Sequence, residues 1–162
     1  MRRQGQALRE ERRALRAEML KRRAGLSAEE HRMWSDRIVA YLIAEWTPSP
    51  DSVVGFCWPI RQEADVRPAL QHWRERGVLA ALPVVVAPKA PLRFRAWTPE
   101  TILVEDRHGV PTSGSGEWLT PDSMLLPLNA FDAAGDRLGY GGGYFERTLA
   151  VLSPRPLCIG VG

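Results

Sequence analysis

The chain has 162 residues, 44% hydrophobic and 25% charged, with a formal net charge of +3 and a pI near 9.2. That composition suits one compact globular domain and excludes a disordered or fibrous chain. No uncharged run approaches the roughly 20 apolar residues of a membrane span, and Met1-Arg2-Arg3-Gln4-Gly5 leads into more charge, so neither an anchor nor a secretory leader is expected and the cytoplasm is the expected location.

The first 24 residues carry nine basic and three acidic side chains. Leu8, Leu15, Met19 and Leu20 fall roughly on one side of a helix, which predicts an exposed amphipathic first helix. Gly25 interrupts it. Ser27-Ala28-Glu29-Glu30 then offers a capping box, and Trp34, Ile38, Tyr41 and Leu42 continue at helical spacing to about Trp46, where Pro48 and Pro50 end the run.

From Ser52 onward short apolar runs alternate with polar or proline-containing segments. Strands are predicted near 52–57, 78–82, 92–97, 123–127 and 156–161. Val66, Leu70 and Trp73 repeat at helical spacing between the first two, and such a strand-helix-strand unit favours parallel pairing. The expected architecture is therefore α/β: a single three-layer domain spanning 1–162, with a mostly parallel central sheet flanked by helices. Asp106 to Pro121, with three glycines and two prolines, reads as a mobile loop. Cys57 and Cys158 each sit in an apolar run and read as reduced core thiols. His31, His72 and His108 share no metal-ligand spacing with them, so a structural zinc site is not expected.

Chemistry concentrates near the end of the chain. In Arg137-Leu138-Gly139-Tyr140-Gly141-Gly142-Gly143-Tyr144-Phe145-Glu146-Arg147, the glycines permit positive φ and leave backbone N–H groups uncovered. A helix predicted over Tyr144 to Leu152 would direct its N-terminus at a bound anion, and Arg137 and Arg147 flank the site with planar donor forks. The glycines alone fit a tight strand-to-helix turn equally well. No Gly-Lys-Ser/Thr follows, which excludes a Walker A loop, and no GxGxxG with an acidic residue about 20 positions on is present, which disfavours a dinucleotide fold.

The longer string is more specific. Pro127-Leu128-Asn129-Ala130-Phe131-Asp132, followed by Gly135-Asp136 and the segment above, resembles the signature of the 5-formyltetrahydrofolate cyclo-ligase family, also called methenyltetrahydrofolate synthetases. Three further segments agree in order: Arg12-Arg13-Ala14-Leu15-Arg16 with Arg22-Arg23, Phe56-Cys57-Trp58-Pro59-Ile60-Arg61-Gln62-Glu63-Ala64-Asp65, and Leu82-Pro83-Val84-Val85 with Leu92-Arg93-Phe94. The resemblance implies an ATP-dependent ligase that cyclises 5-formyltetrahydrofolate to 5,10-methenyltetrahydrofolate, releasing ADP and phosphate with Mg²⁺. It places ATP on Arg12, Arg16, Arg137, Leu138, Gly139, Tyr140, Gly141, Gly142, Gly143 and Tyr144. The folate falls to Trp58, Glu63 and Tyr140 to Tyr144, and the catalytic contacts to Arg137 and Tyr144. Glu146 stands where the family commonly has a metal-binding aspartate. The family also continues beyond Gly162 with a histidine-aspartate loop and another acidic contact, so this chain reads as lacking that segment.

Two other readings compete with an enzyme. One is a folate- or nucleotide-binding module of the same fold without turnover. The other is a nucleic-acid binder built on the basic first helix, which the small net charge and the lack of an aromatic platform argue against. A monomer with a small-molecule substrate, no nucleic acid and no membrane is expected.

Overall fold

The computed structural model describes the backbone of residues 2–162 and the side chains from residue 5 onward. Helix α1 (Arg2–Ala24) is followed at Gly25 by α2 (Ala28–Glu45). The predicted capping box is present: the Glu30 N–H donates to Ser27 Oγ at 3.1 Å, and the Ser27 N–H donates to Glu30 Oε2 at 2.8 Å. These two bonds satisfy backbone donors that a helix start leaves free.

A six-stranded sheet forms the centre. Strands β1 (Val53–Gly55) and β2 (Leu79–Val84) are joined through α3 (Arg67–Arg74) and pair in parallel. Then β3 (Arg93–Trp97) returns antiparallel to β2. Outside the sheet, β4 (Leu103–Glu105) and β5 (Pro111–Ser113) form a hairpin, and β6 (Trp118–Leu119) adds to the free edge of β3. Strand β7 (Ser123–Pro127) lies parallel to β1. A second hairpin, β8 (Ala130–Phe131) with β9 (Arg137–Leu138), precedes α4 (Tyr144–Val151) and the last strand, β10 (Leu157–Val161), which pairs in parallel with β7. The order is β10-β7-β1-β2-β3-β6. Its four parallel strands bear out the mostly parallel sheet.

Alternation along the strands sorts the core into two layers, because successive side chains point to opposite faces. Val54, Ala80, Leu82 and Leu125 join Leu42, Leu70 and Trp73 beneath α2 and α3, where Trp46 meets Trp73 edge-on at 5.0 Å. Their sequence neighbours Val53, Ala81, Met124 and Leu126 face the other way, against Tyr144, Phe145 and Leu149 of α4. Helices on both faces of the sheet make the three layers. No described residue of α1 belongs to either cluster, so that helix is held by polar contacts instead. No described helix is long and apolar enough to cross a membrane.

The segment 106–121 departs from the expected mobile loop. Asp106 Oδ1 accepts from the N–H groups of His108 and Val110, closing a tight turn. Thr112 and Ser113 are then buried in β5, with the Thr112 hydroxyl donating to the Pro83 carbonyl at 2.7 Å. Short strands supported by tertiary contacts carry little periodicity to read. Both cysteines are free and half-buried, and burial pushes both thiols above the ordinary range, as suits unreactive packing groups.

Thr148 ties α4 to the sheet. Its fully buried hydroxyl accepts the Leu92 N–H at 2.8 Å and donates to the Tyr144 carbonyl at 2.6 Å. Thr148→Val keeps the shape but strands the buried Leu92 N–H, which should cost about 1–3 kcal/mol. Denaturant unfolding will read this as a lower midpoint; an unchanged midpoint would show that the bond contributes nothing.

Candidate active site

In open α/β sheets, ligands bind beyond the carboxyl ends of parallel strands. Here the loops after β1 and β7, the hairpin β8-β9 and the start of α4 gather at that edge, and α1 lies across them.

The glycine-rich segment is wrapped by guanidinium groups. Arg16 reaches from α1 and donates through Nε to the Gly139 carbonyl at 2.7 Å. Arg137 donates to Glu146 Oε1 at 3.0 Å and to the Pro127 carbonyl at 3.4 Å. Arg147 donates to the Gly142 carbonyl at 2.9 Å. These approaches explain the glycines better than a turn alone. A Cβ on Gly139 would lie 2.7 Å from Arg137 Nη1, one on Gly143 would lie 2.7 Å from Arg147 Nη1, and one on Gly141 would lie 3.3 Å from the Arg16 guanidinium. Gly141 and Gly143 also take φ of 90° and 70°, which side chains rarely adopt. Gly143 is the residue before α4 and provides no side-chain cap, so the first N–H groups of the helix stand free for an anion.

The loop after β1 builds a second feature. Arg61 and Gln62 both hold left-handed backbone, with φ of 48° and 58°. The turn they make folds Glu63 back on Ile60: the Glu63 N–H donates to the Ile60 carbonyl at 2.9 Å, while the Ile60 N–H donates to Glu63 Oε2 at 3.0 Å. His31 of α2 donates from Nε2 to the Glu63 carbonyl at 2.7 Å. The Glu63 side chain is thus buried, only 6% exposed. Burial raises its carboxyl above the ordinary value, against the opposing pull of the Ile60 N–H, the Tyr140 hydroxyl, Arg23 and Arg61.

Tyr140 connects the two features. Its hydroxyl donates to Glu63 Oε1 at 2.8 Å and accepts from Arg23 Nη2 at 2.6 Å, while Arg61 lies over its ring. Burial first, then the neighbouring carboxylate, push the Tyr140 phenol up to about 12, so it stays a hydrogen-bond donor throughout the physiological range. Beside Glu63 a cavity of ≈ 320 Å³ opens between α1, α2 and the ends of β7 and β10.

The structure therefore brings together Arg16, Arg137, the run Gly139 to Tyr144, Glu63 and Glu146. Leu138 is half-buried, and its carbonyl accepts the Asn129 N–H at 2.8 Å. Arg12 is exposed on α1, one turn before Arg16. Trp58 sits apart from the cavity, under the Arg67 guanidinium at 4.4 Å and edge-on to Trp97 at 6.5 Å. Three contributors escaped the site residues named from sequence. Arg23 shares a helical face with Arg12 and Arg16, a spacing that could have shown it. Arg147 had been seen only as a flank. His108, whose Nε2 lies 3.1 Å from the Tyr144 hydroxyl, had no local signal.

Among the described residues, no group of three or more His, Cys, Asp or Glu side chains could enclose a metal. Glu146, 67% exposed at its side chain and bonded to Arg137, provides one carboxylate at the edge of the anion site. That fits Mg²⁺ carried on a nucleotide, which commonly takes one or two protein carboxylates with phosphate oxygens, rather than a dedicated cage.

The sequence model of the 5-formyltetrahydrofolate cyclo-ligase family matches residues 8–160. The chain is 34% identical over 93 residues to the 5-formyltetrahydrofolate cyclo-ligases of Escherichia coli K12 and Escherichia coli O157:H7, covering 54% of this chain and 51% of each of theirs. The match thus spans about half the length of these curated relatives. Its fold is similar to that of Aquifex aeolicus 5,10-methenyltetrahydrofolate synthetase, with a TM-score of 0.75, 28% identity, and coverage of 93% of this chain and 77% of that one. It is also similar to a 5,10-methenyltetrahydrofolate synthetase from Mycoplasma pneumoniae, with a TM-score of 0.71, 25% identity, and coverage of 92% and 83%.

The buried carboxyl sets a pH dependence. Because the Glu63 value is raised above 4.5, the folded chain holds a proton that the unfolded chain releases in the interval between the two. Stability from this group is full below pH 4.5 and is lost as pH climbs through the raised value. Glu63→Gln removes the charge while keeping an acceptor for Tyr140. Its melting temperature should therefore improve relative to the parent as pH increases above 4.5. Thermal unfolding across pH checks this, and a difference that stays flat or shrinks would overturn it.

Proposed function

Because the chain belongs to the 5-formyltetrahydrofolate cyclo-ligase family, we propose that it closes 5-formyltetrahydrofolate to 5,10-methenyltetrahydrofolate at the expense of ATP. The observation that supports this reading is the Tyr140 hydroxyl, which joins an arginine-lined glycine segment to a buried carboxylate. A carboxylate at Glu63 accepts paired hydrogen bonds from the amino group and ring N–H of a pterin. The segment from Gly139 to Tyr144 suits the phosphates of a nucleotide.

Chemistry at such a site divides into two transfers. The formyl oxygen takes the γ-phosphoryl group of ATP, releasing ADP. N10 of the folate then attacks the activated formyl carbon, and loss of its proton and of phosphate leaves the methenyl bridge. Phosphoryl transfer of this kind needs positioning and charge neutralisation rather than a protein nucleophile. Arg16, Arg137 and Arg147 supply positive charge around the glycines, and the N–H groups opening α4 supply oriented donors. Glu146 would hold Mg²⁺, whose contribution is to neutralise the phosphates.

The assay mixes the purified chain with 5-formyltetrahydrofolate and Mg²⁺, with and without ATP, and follows methenyltetrahydrofolate by absorbance. ATP-dependent product supports the enzyme; folate binding without product supports the non-catalytic module instead. Arg137→Ala should lower kcat by about 100-fold or more, as expected for loss of one transition-state charge contact. An unchanged kcat in the folded variant would remove Arg137 from the site.

A further inference from the structure

The cavity beside Glu63 contains one polar side chain without a role. Asn129 lines it from the link between β7 and β8, and both its Oδ1 and its Nδ2 are buried with no hydrogen-bond partner in the protein. Other polar groups around the cavity are engaged. His31 binds the Glu63 carbonyl, Ser35 Oγ accepts from the Asp65 N–H, and Gln62, with its amide nitrogen turned inward, donates to the carbonyls of Arg23 and Leu26. Among the described cavity-lining side chains, Asn129 alone has an orphaned donor and an orphaned acceptor together.

The backbone around Asn129 is fixed. Its N–H donates to the Leu138 carbonyl at 2.8 Å, and the preceding Leu128 N–H donates to the Val161 carbonyl at 3.1 Å. Three structural units, β7, the β8-β9 hairpin and β10, thus hold this one position at the cavity wall. Strands β1 and β7 are neighbours in the sheet, so the loops that follow them carry Glu63 and Asn129 to the wall of the same cavity. Burying an amide with neither atom satisfied destabilises a folded chain, and native proteins rarely retain such a group without a function.

We infer that Asn129 is a specificity-determining residue that reads the pterin ring on the edge next to the one Glu63 takes. This rests on the folate reading above. With the amino group and ring N–H directed at Glu63, the adjoining ring edge presents N1, an acceptor, beside N8–H, a donor. A carboxamide is complementary to that pair: Nδ2 donates to N1 and Oδ1 accepts from N8–H. A carboxylate at the same position would meet N1 with a second acceptor, and an aliphatic side chain would answer neither.

The test pairs stability with binding. Asn129→Leu should raise the melting temperature, because it removes an unsatisfied buried amide, and should weaken 5-formyltetrahydrofolate binding at least about tenfold as two hydrogen bonds are lost. Calorimetric titration of the full chain measures the affinity, and KM for ATP should not rise in parallel. Asn129→Asp, which keeps one acceptor and loses the donor, should weaken binding too, and decides the matter if the leucine variant fails to fold. An affinity equal to the parent's in a folded variant overturns the inference while leaving the folate reading intact. Failure of the parent itself to bind 5-formyltetrahydrofolate overturns both. A lower melting temperature with unchanged affinity would make Asn129 a packing residue only, and also overturns it.

Discussion

The close approach of guanidinium groups to bare main chain organises the carboxyl edge of the central sheet. Arg16, Arg137 and Arg147 each come close to a glycine at a distance that a Cβ would forbid or crowd. The consequence runs outward from there. Arg16 anchors α1, a helix whose described residues add nothing to the two apolar clusters. Arg137 connects the hairpin to α4 through Glu146 and to the end of β7 through Pro127. Three like charges around one loop repel one another, and Glu146 offsets only part of this, so the loop is electrostatically suited to a polyanion.

The loop after β1 contains the opposite kind of constraint. Left-handed backbone at two successive non-glycine residues costs on the order of 1–3 kcal/mol each. Arg61 and Gln62 hold it because the surroundings fix the turn: Arg23 Nε donates to the Arg61 carbonyl at 3.0 Å, and His31 secures the next carbonyl, that of Glu63. What the strain secures is a carboxylate turned inward instead of out to water. The strain lies in the two residues before Glu63 and is supported from two helices that are distant in sequence.

Much of this was legible in the chain and some was not, for physical reasons. The sheet strands could be read because continuous apolar runs such as Val53-Val54 and Met124-Leu125-Leu126 mark strands buried on both faces. The capping box at Ser27 and the glycine segment are local, so sequence reveals them. By contrast β6, β8 and β9 are two residues each, and pairing with another strand, not local preference, makes them strands. Trp58 shows the limit at the site: its neighbours suggested a ligand contact, yet whether it faces a cavity or Trp97 depends on how a strand end is rotated. Asn129 stands out in the sequence only as part of a motif, since an amide without a partner can be recognised only once its surroundings are known.

The Tyr140 hydroxyl gives the site a property of the pair rather than of either half. It belongs to the glycine segment, yet it occupies Glu63 Oε1. A ligand that bonded that oxygen would have to share it with the hydroxyl or displace the hydroxyl and the segment that carries it. An anion that orders the segment likewise alters how readily Glu63 can exchange partners. Linkage would make the two effects equal in free energy, so any factor one ligand applied to the affinity for the other would be returned in full. One phenol thus joins the glycine segment to the buried carboxyl beside the cavity.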